Sequence, residues 1–172
     1  MTLERTIANA FALDDETWRC HANPWSVALR NTALPLLVLA LWSRLWLEWY
    51  ALIPLFAALL WTWYNPRIFS PPLSFDHWAS KAVFGERVWL NRDNVPVPAH
   101  HRRVPNILSA VSAIGMLFVF WGVLVFDAWP ALFGMALVYA GKLWFLDRMA
   151  WLWEDMKDNP AYSGLVRYTN RE

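Results

Sequence analysis

The residues best suited to chemistry lie in "NVPVPAHHRRVPN", Asn94 to Asn106, where adjacent His100 and His101 precede adjacent Arg102 and Arg103 among three prolines. Neutral imidazole titrates near physiological pH and is a common donor to transition metals, so the histidines could act as acid, base or ligand. Guanidinium groups make paired hydrogen bonds to phosphate or carboxylate, so the arginines could hold an anionic head group. In an extended chain, neighbouring side chains point to opposite sides, and both histidines would reach one ion only in a turn. Further ligands would have to come from His21, His77, Asp76, Glu86, Glu154 or Asp155; no metal ligand set is assigned, and the cofactor stays open.

Other candidates surround this stretch. His77 and Lys81 are four residues apart on one face of a helix that the sequence predicts over Phe75 to Leu90. Glu86 and Arg87 follow Gly85 and could supply an acid or a base facing His77, Lys81 or His101. Further along, Asp147, Arg148 and Glu154 fall where a long apolar run turns polar. The expected site thus takes His77, Glu86, His100, His101 and Asp147 as catalytic groups, with Lys81, Arg87, Arg102, Arg103, Arg148 and Glu154 binding the ligand. It contains no phosphate loop, serine elbow or zinc-protease motif. Four histidines without repeated histidine boxes do not match membrane di-iron enzymes, and no apolar run carries a histidine for haem.

The elements that position these groups are membrane helices. The 172 residues are 58% hydrophobic and 17% aromatic and include 14 tryptophans, well beyond an ordinary soluble domain. Indole favours the boundary between lipid and water, because a flat apolar body can sit among acyl chains while its N–H stays near water. The net charge of +1 gives no reason to expect nucleic acid as a partner. The lone Cys20 excludes an internal disulfide and multi-cysteine metal sites. "MTLERTIANAFALDDETWRC" lacks an apolar core, so no cleaved signal peptide is expected.

Four apolar spans are read at about residues 28–47, 50–64, 107–126 and 129–150, giving an all-α, four-pass bundle of two hairpins in one domain. Pro35 and Pro54 are expected to kink the first two, and Pro66, Pro71 and Pro72 to end the second. The segment 65–106 should then hold an interfacial amphipathic helix, with Trp78, Ala82, Gly85 and Trp89 facing lipid and Asp76, Ser80 and Arg87 facing water. Basic residues concentrate in the N-terminal part (Arg5, Arg19, Arg30), in this segment, and in the tail (Arg148, Lys157, Arg167, Arg171). That bias predicts an inner-membrane, multi-pass protein with both termini cytoplasmic. Gly115 and Gly122 on the third span, with Gly134 and Gly141 on the fourth, are symmetric about Ala128 and predict close helix packing, Gly115 against Gly141 and Gly122 against Gly134. Lys142 would lie deep and need an acid such as Asp147 or Glu86.

The blocks "HANPWSVALR", "NPRIF", "WASKAVFGERVWLNR", "PVPAHHRRVPN" and "GKLWFLDRMAWLWEDM" together resemble a domain-of-unknown-function family of small bacterial and archaeal integral membrane proteins. The resemblance spans about Cys20 to Met156 and implies a membrane protein without an assigned activity. The function expected is a cytoplasm-facing polar site that binds, and could transform, an anionic or amphiphilic small molecule or lipid. The alternatives are a structural or accessory membrane subunit, with an oligomer or partner subunit covering its tryptophan faces, and a small transporter.

Overall fold

The computed structural model describes residues 15–162 and is helical throughout, with no strand among the described residues. Arg5, Asp14, Arg167 and Arg171 lie outside the described residues. Two short helices, α1 (Asp15–His21) and α2 (Pro24–Arg30), lead into α3 (Ala33–Trp42), a single turn α4 (Arg44–Leu47), and α5 (Leu52–Ile68). Then come α6 (Trp78–Leu90), α7 (Val104–Val125) and α8 (Ala128–Met156).

Asn23 caps α2 through its side chain, accepting from Trp25 N–H at 2.9 Å, and Pro24 takes the first helical position, where no N–H is needed. Pro35 and Pro54 sit third in α3 and α5, also within the first turn. The expected kinks do not arise, because first-turn amides have no intrahelical acceptor to lose. Conversely, α5 runs through Pro66 to Ile68, and only the prolines at 71 and 72 lie beyond its end.

Three stretches are long and apolar enough to cross a membrane: Pro24–Asn65, Ala99–Val125 and Ala128–Met156. The first, at 42 residues, folds back so that α3 packs on α5, reversing near Glu48, whose φ is 48°. Large apolar side chains on these stretches stay uncovered, Trp49 at 83% and Trp129 at 79% exposure being the extremes. In water such a surface would aggregate, whereas among acyl chains it costs nothing, so these helices suit a membrane.

Helices α7 and α8 form the tightest hairpin. Phe126 closes α7 in a left-handed conformation (φ 55°, ψ 34°), and Asp127 caps α8 by accepting from Trp129 N–H at 3.0 Å. The reversal therefore centres near Phe126 rather than Ala128. As a result the glycines meet partners about one helical turn from those expected. Gly115 faces Gly134 and Val138, Gly122 faces Ala131, and Gly141 faces Leu108 and Ser112. The close approach holds, with a Cβ at Gly134 coming within 2.6 Å of the Gly115 carbonyl oxygen.

A compact core lies at the other end of this hairpin. Phe84 stacks on Trp153 at 5.0 Å and on Phe75 at 5.1 Å, with Val83, Val88, Trp89, Met149 and Leu152 buried around them. Each ring pair contributes about 0.5–1.5 kcal/mol beyond the area it buries. Helix α6 is thus an interior element, and its expected interfacial pattern is corrected on both faces, with Ala82 and Gly85 of the expected lipid side also buried in protein. Trp89 is buried in protein, and Ser80, assigned to the watery face, is fully buried and donates to Ala22 O at 2.7 Å. The cause is Gly85, whose missing side chain lets α6 press directly on the Met149 backbone of α8.

Candidate functional site

At the junction of α6 and α8 the residues expected to form one site separate into three groups. The first lines a groove of 410 Å³ formed by Asp76, Trp78, Lys81, Asp147, Ala150, Trp151 and Glu154. Here Trp78 Nε1–H donates to Asp147 Oδ1 at 3.2 Å, tying the two helices across its floor. Glu154 receives Lys81 at 2.5 Å on one oxygen and Lys157 at 2.6 Å on the other. Glu154 thus already neutralises part of the lysine charge beside the groove. Arg148 lies over the Trp151 ring, with its guanidinium carbon 4.8 Å from the centroid. Cation and ring so placed attract each other electrostatically.

The second group is the histidine pair. Pro98 is extended at ψ 146°, and residues Ala99–His101 then form a 3-10 turn closed by His101 N–H to Pro98 O at 3.0 Å. That turn overturns the expectation that neighbouring histidines diverge. Both Nε2 atoms reach one carboxylate oxygen, Asp155 Oδ2, at 3.0 Å from His100 and 2.9 Å from His101. Asp155 follows Trp151 by one turn of α8, and the His101 ring meets Trp151 edge-on at 5.9 Å. Trp151 thus separates the groove from the histidines.

The third group is half-buried, between α2, α6 and α8. Glu86 does not face His77, Lys81 or His101. Its charged neighbours are Arg30 and Lys142, from α2 and α8, so Lys142 meets the acid that its depth demanded. Burial pushes the Glu86 carboxyl above its ordinary range, and the two cations pull it part of the way back. His21 completes this cluster, with its carbonyl accepting from Arg30 Nη2 at 3.2 Å and its ring edge-on to Trp18. Its Nδ1 is buried with no hydrogen-bond partner among the described residues.

His21 makes stability depend on pH. Burial first, then Arg30 and Lys142, hold its pKa well below 6.5. The folded protein keeps the ring neutral while the unfolded chain protonates it near pH 6.5. Stability from this group is complete above pH 6.5 and falls as pH drops below it, by up to about 1.4 kcal/mol per unit. Glu86, whose carboxyl pKa is raised, takes up its proton first in the folded state and so opposes this decline, which is why the histidine's share is read from the variant. Thermal melts from pH 7.5 to 5.5 should show a decline that His21→Leu flattens.

The remaining expected residues lie outside these three groups. His77 caps α6, its Nδ1 accepting from Ala79 N–H at 3.1 Å, which leaves the proton of the neutral ring on Nε2. Arg102 donates from Nε to Val97 O at 3.2 Å, bracing the proline loop, and Arg103 is exposed just before α7. Arg87 lies on α6, half-buried. In the sequence, Asp155 and Asp76 stand only among the possible metal partners of the histidines and outside the expected site, although the spacing of Asp155 from Trp151 puts both on one helical face. Trp78 of the groove is expected on the lipid-facing side of α6, and Trp151 has no assigned role.

The sequence matches a family of unknown function, DUF6653, over residues 2–170. The chain belongs to that family. No curated protein and no solved structure matches it. The DUF6653 match covers every element that builds the groove, the histidine pair and the interior cluster.

Proposed function

We propose that the chain is a four-pass protein of the cytoplasmic membrane, with both termini and residues 65–106 on the cytoplasmic side, whose groove between α6 and α8 binds an amphiphilic small molecule or lipid. The first apolar stretch supplies two passes, α3 and α5, and α7 and α8 supply the other two. The observation that carries the binding reading is the groove lining, which combines two tryptophans with Asp76, Asp147 and Glu154 where α8 passes from apolar to polar. Aromatic faces beside carboxylates attract an ammonium head, while Trp78 and Trp151 offer flat surfaces to the first methylenes of a chain. Of the anionic and amphiphilic ligands that the sequence suggests, the lining favours an amphiphile with an amine-bearing or zwitterionic head, because Lys81 and Lys157 are already engaged by Glu154.

Native mass spectrometry of the full chain in neutral detergent tests this, with dodecylamine and dodecyl sulfate as probes. Dodecylamine should bind at least ten times more tightly, and Asp147→Asn should remove most of that preference. Equal binding of both probes, or tighter sulfate binding, would refute it. The topology is checked separately in a Cys20→Ser background. A thiol reagent that does not cross membranes should label Tyr50→Cys in intact cells and Asn94→Cys only after lysis. The opposite pattern rejects the orientation, and equal labelling rejects a crossing by α5 and with it the four-pass topology.

A further inference from the structure

We infer that His100, His101 and Asp155 form a binding site for a divalent transition-metal ion, independent of the amphiphile groove. One ligating atom from each residue lies within 4.8 Å of the others. Zinc-type ions hold imidazole nitrogen and carboxylate oxygen at about 2.0–2.2 Å, so two such donors at tetrahedral or octahedral angles stand about 2.9–3.4 Å apart. The N···O separations of 3.0 and 2.9 Å match that spacing. Both rings can therefore turn their Nε2 lone pairs to an ion beside Asp155 with little movement of the oxygen.

The imidazole centroids are 4.2 Å apart, so both rings stand beside the same carboxylate. A metal ion takes a lone pair from each neutral ring and the carboxylate charge together. His101 is 2% exposed and held between its 3-10 turn and Trp151, which fixes one ligand in advance. The His100 side chain is 61% exposed, leaving the remaining coordination positions open to solvent or to a small oxygen ligand. Two imidazoles and one carboxylate suit zinc, cobalt, manganese or ferrous iron better than calcium or magnesium, which prefer all-oxygen sets.

The test uses the full chain in detergent, stripped with chelator and titrated with Co²⁺ while visible d–d absorption is followed. One equivalent per chain is expected, displaced by one equivalent of Zn²⁺. His100→Ala alters an exposed side chain outside the core and should weaken binding at least tenfold, as should Asp155→Asn. His77→Gln, at an exposed histidine away from the cluster, should leave it unchanged. Absence of saturable one-equivalent binding in the wild type, or unchanged affinity in His100→Ala, overturns the inference. Neither dodecylamine nor dodecyl sulfate is added in this titration, so its outcome does not depend on the head-group preference of the groove.

Discussion

Gly85→Ala should lower stability by about 3 kcal/mol, seen as a fall of roughly 6–12 °C in the thermal midpoint of the detergent-solubilised protein. A methyl group at this position would overlap the backbone carbonyl of Met149 and stand 2.9 Å from its Cα. Neither side can yield locally. The obstacle is main chain inside a 29-residue helix, and α6 is fixed along its length by Val83, Phe84, Val88 and Trp89 in the core. Relief requires α6 to move off α8 as a unit, which opens the Phe84–Trp153 stack and the Trp78–Asp147 bond together. Ala136→Leu adds more volume, but on an exposed face of α8, and should change the midpoint little. A Gly85→Ala midpoint equal to wild type would show that the helices are not in backbone contact.

Glu86→Leu should cost a similar amount, about 3 kcal/mol, for an electrostatic reason. Removing the carboxylate leaves Arg30 and Lys142 facing each other in the interior without a counter-charge, and His21 beside them already resists protonation. Removing one member of a buried set is far more costly than replacing both members by apolar groups, because the penalty comes from the charge left behind. The double variant Glu86→Leu with Lys142→Met should therefore recover much of the loss, to within about 1 kcal/mol of wild type. Thermal melts of the two single variants and the double variant give the coupling directly. Additive losses would mean that the two side chains do not interact.

Much of the architecture is legible in local patterns. The apolar runs, the capping Asn23-Pro24 pair and the small-residue spacing of α7 and α8 each express a short-range rule, and each element forms. Where the reading slipped, a distant contact decided. The glycine register depended on whether the chain reversed at Phe126 or Ala128, and no local periodicity distinguishes the two. The face of α6 that looked ready for lipid is covered because Gly85 admits the Met149 backbone, an event between residues more than sixty positions apart.

The candidate site divides in the same way. The sequence alone determined an all-helical, apolar chain with His100, His101 and their basic neighbours near the start of α7, because composition and spacing follow from covalent order. Tertiary structure decided which groups meet: Asp155 with the two histidines, Glu154 with Lys81, Glu86 with Arg30 and Lys142. The Glu154–Lys81 and Glu86–Lys142 pairings depend on the rotation and register of α6 against α8, which are fixed by packing at Gly85. A 3-10 turn of three residues then converts the adjacent histidines from diverging side chains into two donors on a single carboxylate.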